Sequence, residues 1–229
     1  MKAKKPIKAP GKFAKSSGYI AAILFALYAF LYTLMQIISM FVNNYNPFSI
    51  DNVLLIVILI VAAVFLLFKK TNLLIIPFAL YTLLELSWFA GWIIDMIKYK
   101  TTFGFSGIIY SFVSLLNAFG ALTVILLVVF SLVKATRKIT VVWFLPAISF
   151  AISFAATLII ETIDILRYAF EGHFVLNISN VLLFDVPAII YSILLTAGVV
   201  FAGLAVRAYA KQQLFDVQEE AATKDEIIG

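Results

Sequence analysis

Long apolar runs separated by short polar breaks set the rhythm of this chain. Six runs are long enough to cross a bilayer as helices: residues 18–42, 51–68, 72–97, 106–133, 140–168 and 178–206. A spanning helix needs about 20 predominantly apolar residues. In hydrocarbon, every backbone polar group must be satisfied internally. The second run is the shortest, with "VLLIVILIVAAVFLLF" as its unbroken core. The pattern predicts an all-α polytopic membrane protein, six transmembrane helices in one bundle. The breaks "KKT" (69–71) and "KATRKI" (134–139) are short, so spans 2/3 and 4/5 are expected as antiparallel hairpins. Ser49 and Asp51, after Pro47, suit the start of span 2 as cap and first-turn acid.

Polar residues inside the runs fall at helical spacing. Span 1 carries Tyr32, Gln36, Ser39 and Asn43. Span 3 carries Tyr81, Glu85, Trp88, Trp92, Asp95 and Tyr99, and span 5 carries Ser153, Thr157, Glu161, Asp164 and Tyr168. Steps of three and four keep each set on one helix face. Span 2 is apolar all round, as a lipid-facing helix is. Span 4 offers Tyr110, Ser114 and Asn117, and span 6 offers Asp185, Tyr191 and Thr196. The expected arrangement has spans 1, 3 and 5 around a polar cleft open to one side, with span 2 peripheral.

Two stripes end alike, in "DMIKY" (95–99) and "DILRY" (164–168), 69 residues apart. At that offset Lys69/Lys138, Thr71/Thr140, Pro77/Pro146, Ile94/Ile163, Asp95/Asp164 and Tyr99/Tyr168 are identical. The register predicts tandem two-helix repeats. A two-span unit restores its own orientation, so these repeats are parallel. The Asp-x-x-basic ending resembles the odd-helix ends of mitochondrial carriers. It departs from them at Ile93 and Thr162, where the carriers hold proline, and span 1 lacks it, so membership in that family does not follow.

Charge orients the spans. Lys2, Lys4, Lys5, Lys8, Lys12 and Lys15 precede span 1, and Lys69, Lys70, Lys134, Arg137, Lys138, Arg207 and Lys211 lie on the same side. The opposite side has Lys98, Lys100 and Arg167. The positive-inside rule then places both termini in the cytoplasm of a cell (plasma) membrane protein. Three parts are expected: a basic cytoplasmic arm (1–17), the six-span domain (18–207) and an acidic cytoplasmic tail (208–229), a frayed helical extension that gives way to disorder. A basic arm beside a span holds anionic lipid headgroups rather than nucleic acid. The first apolar run is too long for a signal-peptide core and is read as retained.

Composition narrows the chemistry. The 229 residues are 64% hydrophobic with no cysteine and one histidine, His173. Thiolate metal sites, disulfides and His–His ligation by the chain alone are excluded. No Walker loop, Gly-x-Ser-x-Gly elbow or Asp-rich metal motif occurs. Neither an enzyme nor a cofactor or metal is expected.

The intramembrane acids are the candidate chemistry. A charge at the helix centre costs about 2.5–3.5 kcal/mol on insertion scales. Glu85 sits near the middle of span 3 with no base one turn away, and Glu161 also lacks an adjacent base. Each must be protonated, face water or meet a partner on another helix, or else serve structure alone. With Asp185, and with Gln36, Trp88 and Trp92 as further contacts, they outline an acidic substrate site. Tryptophan faces add cation–π attraction there, or simply anchor the interface. Asp95, Lys98, Asp164 and Arg167 form a candidate ion-pair latch near the boundary.

Ala22 and Ala26 give span 1 a small-xxx-small surface for a partner membrane subunit. Six spans with that motif resemble the substrate-binding subunit of energy-coupling-factor vitamin transporters; the resemblance carries no residue roles. The expected function is a small transporter, or such a subunit, for a cationic or proton-coupled solute. The alternative is a non-transporting membrane assembly protein.

Overall fold

The computed structural model describes residues 9–43, 49–99, 105–133, 144–170 and 181–228. The described chain is helical: α1 (Lys12–Asn43), α2 (Ile50–Leu67), α3 (Ile75–Tyr99), α4 (Phe105–Leu132), α5 (Phe144–Phe170) and α6 (Val186–Ile228). A short 3-10 turn (Thr71–Leu74) leads into α3, and one π-helical turn (Val181–Asp185) precedes α6. All six helices are long and apolar enough to cross a membrane. They give the described residues an all-helical architecture of multi-pass membrane character.

Each helix packs on its sequence neighbour, and α6 returns to pack on α1. The expected hairpins α2/α3 and α4/α5 are present. The buried core draws on Phe25, Ile58, Phe78, Tyr81, Val124, Phe150 and Val199. Exposed apolar side chains such as Ile23, Phe30, Val57, Ile60, Phe119 and Ile159 cover the outside. A water-soluble monomer rarely exposes so much contiguous apolar surface, whereas lipid covers it.

Small residues set how closely α1 and α6 approach. Ala21, Ala22 and Ala29 on α1 and Ala202, Ala205 and Ala210 on α6 are buried. Gly198 leaves room for the Phe25 ring; a Cβ there would lie 2.6 Å from it. Close backbone approach of this kind is how membrane helices gain packing energy without a hydrophobic drive between them. It also alters the small-xxx-small reading, because Ala22 is buried within the chain and only Ala26 of that pair is exposed.

Ser49 caps α2, its Oγ accepting from the Asn52 N–H at 3.3 Å, with Asp51 in the first turn. Satisfying one of the four orphan N–H groups this way is worth about 1 kcal/mol. The other end of α2 closes with Lys70 N–H donating to Phe65 O at 2.8 Å and Lys69 N–H donating to Leu66 O at 3.1 Å. That pair of bonds is a Schellman cap. Its left-handed residue is Lys69, at φ 57°. Glycine is usual there, and a side chain costs roughly 1–2 kcal/mol.

Several expected boundaries move. α1 starts at Lys12, so Lys12 and Lys15 lie in its first turn and a half. α6 runs unbroken to Ile228, so the acidic tail is helical instead of frayed. Its Gln212 Nε2 donates to Asp216 Oδ1 at 2.7 Å, a pair one turn apart that supports the helix. The start of span 5 at 140–143, the start of span 6 at 178–180, Lys2 to Lys8, Lys100, Lys134, Arg137, Lys138 and His173 lie outside the described residues.

Candidate functional site

A cavity of about 420 Å³ opens among the helices, in the half away from the chain's N-terminal end. Helix α3 supplies Tyr81, Glu85, Trp88 and Trp92, one turn after another. Helix α5 supplies Thr157 and Glu161. Beyond the odd helices expected around the cleft, α4 adds Tyr110, Ser114 and Asn117, and α6 adds Tyr191 and Ser192. The reason is the packing order: α4 lies against both α3 and α5, so its polar face closes the space between them. α2 contributes Leu55 to the lining, and its Ile58, Leu59, Ala62, Ala63 and Leu66 are buried in the core.

Glu85 is 2% exposed. Its partner comes from another helix: Asn117 Nδ2 donates to Glu85 Oε1 at 3.2 Å. The amide is oriented in turn, because Ser153 Oγ donates to Asn117 Oδ1 at 2.6 Å. One polar chain therefore ties α5 to α4 to α3. The Tyr81 and Ser114 hydroxyls also lie within hydrogen-bond reach of Glu85. Each buried polar group here would otherwise bear the full cost of desolvation.

Glu161 is likewise 2% exposed and accepts from Tyr110 Oη at 2.6 Å. It stands closer to the end of its span than Glu85. Asp185 lies beside it, within hydrogen-bond reach, and Asp164 is near enough to act on both electrostatically. Three acids thus gather at the junction of α5 with the π turn. Asp185 Oδ2 is buried with no hydrogen-bond donor among the described residues. π turns recur at functional sites, and here the turn places Asp185 beside Glu161.

An aromatic wall completes the cavity. Tyr28 and Tyr32 stack at 5.9 Å, and Tyr191 meets them at 5.2 and 5.4 Å. Tyr32 Oη donates to Asn52 Oδ1 at 2.7 Å, which fixes α1 against α2. Trp88 is half-buried, while Trp92 is 38% exposed at the mouth.

The structure brings Glu85, Trp88, Trp92 and Glu161 together, as expected. Asp185 joins the Glu161 cluster without lining the cavity. Gln36 is half-buried on α1 and is not among the lining residues. Of the proposed latch, Asp95, Lys98 and Arg167 are exposed near the helix ends and Asp164 is half-buried. The side chains of Tyr99 and Tyr168 lie outside the described residues. Tyr28 and Ser192 went unnoticed in the sequence. Tyr28 stands one turn before Tyr32 on the same face, and that spacing was the available signal.

Compared with known protein families, curated proteins and solved structures, the chain matches none.

Proposed function

We propose that the protein is a small membrane transporter, or the substrate-binding membrane subunit of one, whose cavity takes an amine-bearing or other cationic solute. One observation carries the reading. The cavity joins two buried carboxyls, Glu85 and Glu161, to tyrosine and tryptophan faces, and none of its lining residues is a lysine or arginine. A cation answers both features at once. It pairs with the carboxyls, and it is drawn to aromatic faces by their quadrupole, an effect worth about 2 kcal/mol where water is excluded. The crowding of Glu161, Asp164 and Asp185 supports the same sign of ligand, because like charges at short range repel.

On this reading no bond is made or broken, and the role is binding and passage rather than catalysis. The protein sits in the plasma membrane with both termini cytoplasmic, so the cavity faces outward. Asp95, Lys98, Asp164 and Arg167 form the ion-pair latch at its mouth. Binding competes with protonation of the carboxyls, and so it couples to the proton.

The test is a ligand screen by thermal shift on the purified chain, using amines and metal cations, repeated with Glu85→Gln and Glu161→Gln. Glutamine keeps an oxygen for Asn117 or Tyr110 to donate to, so both variants fold. A stabilising cation should lose its effect in either variant. In the unaltered chain its effect should weaken as pH falls, because a protonated carboxyl offers no counter-charge. Binding indifferent to pH and to both substitutions would sink the acidic-site reading. A second reading then stands: a non-transporting assembly protein, favoured by the full set of hydrogen bonds around Glu85.

A further inference from the structure

A second cavity, of about 240 Å³, lies at the other end of the molecule, between the start of α1, the end of α2 and α6. Its floor is apolar or small: Gly18, Leu66 and Ala205. Its upper wall carries Lys15, Lys69, Tyr209 and Gln212. Apolar below and cationic above is the profile of the bilayer interface itself.

Lys69 is the residue that needs explaining. It occupies the left-handed position of the α2 cap, at φ 57°. Backbone strain of this kind persists where the surroundings over-determine it, and it gathers at ligand clamps. Marking the cytoplasmic side does not require lysine there, since Lys70 follows directly. The strained backbone does achieve a placement: the Lys69 ammonium stands 6.0 Å from the centre of the Tyr19 ring, on the cavity wall. Lys15 sits on α1 one turn before Tyr19, so two ammonium groups belong to one pocket.

Gln212 adds a directional element. Its Nε2 is committed to Asp216, while its Oε1 is buried and has no hydrogen-bond donor among the described residues. A buried acceptor left so is costly, and a ligand hydroxyl satisfies it once the side chain, which lines the cavity, turns that oxygen inward.

We propose that this pocket is a stoichiometric binding site for an anionic phospholipid whose headgroup bears a hydroxyl. Lys15 and Lys69 hold the phosphate, Gln212 Oε1 accepts from the headgroup alcohol, and the acyl chains follow the Leu66–Gly18–Ala205 floor into the membrane. This differs from a diffuse basic surface, which attracts anionic lipid by charge alone and has no use for a strained lysine or an orphaned amide oxygen. The apolar floor selects lipid over free phosphate. The proposal concerns the end opposite the acidic cavity and does not depend on what that cavity binds.

The test is native mass spectrometry of the purified full chain in detergent, with thermal shift on the same samples. The probes are phosphatidylglycerol, phosphatidylcholine and inorganic phosphate. One phosphatidylglycerol should remain bound and raise Tm, while phosphatidylcholine and inorganic phosphate should not. Lys69→Gly relieves the cap backbone, so that variant folds, yet it should weaken retention about tenfold, the worth of one charged hydrogen bond. Lys15→Gln should act similarly, and Gln212→Leu should weaken retention about threefold, as for one neutral bond. Lys70→Gln removes an equal charge next to the pocket and should change little. Equal losses from Lys70→Gln and Lys69→Gly would reduce the site to surface charge and overturn the proposal. So would equal binding of phosphatidylcholine, or a Tm shift reproduced by inorganic phosphate.

Discussion

Replacing Asn117 by leucine should expose how the acidic cavity is held together. Asn117 makes two interhelical contacts, donating to Glu85 Oε1 at 3.2 Å and accepting from Ser153 Oγ at 2.6 Å. Leucine nearly fills the amide's space but satisfies neither partner. Interhelical hydrogen bonds in membrane proteins average about 0.6 kcal/mol, with about 1.7 as the upper measured value. Two lost bonds therefore cost about 1–3 kcal/mol. The pairwise term for Glu85 needs a double-mutant cycle with Glu85→Leu. That single change mixes the loss of hydrogen bonds with the relief of burying a polar group, so its own sign decides nothing. The cycle cancels such terms and isolates the contact. Unfolding free energies measured by denaturant titration in bicelles should give a favourable Glu85–Asn117 coupling of about 0.6–1.7 kcal/mol. Distant sites add to within about 0.3–0.5 kcal/mol. A coupling inside that noise, or an Asn117→Leu variant as stable as the parent, would refute the polar chain across α3, α4 and α5.

Gly198→Ala should destabilise by about 1–3 kcal/mol, the usual cost of overpacking, because the new Cβ meets the Phe25 ring at 2.6 Å and Phe25 is only 1% exposed. Gly91→Ala, with nothing within 4 Å of the new Cβ, should be neutral or stabilise by up to about 1 kcal/mol through helix propensity; thermal melts of both variants check the contrast. The chain has no native cysteine, so single cysteines report topology without background. Lys70→Cys should react with an impermeant thiol reagent only after permeabilisation, and Lys98→Cys should react from outside; the reverse pattern would invert the orientation. Asp164→Asn removes a partner for Arg167 but also relieves repulsion from Glu161 and Asp185, so the latch is read from a double-mutant cycle with Arg167→Gln, which should show a favourable coupling. Strict additivity of the two changes would remove the latch.

Hydrophobic runs and short charged breaks made the six helices legible, because bilayer thickness and backbone satisfaction leave few alternatives. Ser49 as the cap of α2 was legible for the same kind of local reason. The stripes on α3 and α5 also pointed correctly, since Glu85, Trp88, Trp92 and Glu161 all reach one cavity. The repeat register did not pair the two cavity glutamates. At an offset of 69, Glu85 corresponds to Phe154 and Glu161 to Trp92, so the two carboxyls occupy non-equivalent positions on their helices.

What escaped the sequence was rotation about the helix axis and the choice of partner. A step of four residues advances an α-helix by about 40° beyond a full turn. Tyr32 and Gln36 share a stripe on paper, yet Gln36 is turned about 80° from Tyr28 and stands about 12 Å farther along the axis. Tyr28 and Tyr32 line the cavity while Gln36 does not. The steeper the contact between helices, the shorter the stretch of stripe that stays in register with a pocket. Partner choice is a tertiary fact for a similar reason. No residue near Glu85 on its own helix announces Asn117, 32 positions away, and Asn117 taken alone reads as one polar residue in an apolar span. The pairing exists because α4 packs against both α3 and α5. A membrane carboxyl whose own helix offers only a tyrosine hydroxyl, as Tyr81 does for Glu85, is thus best read as a question put to the adjacent helices. Here the answer comes from whichever neighbour carries an amide at the same depth.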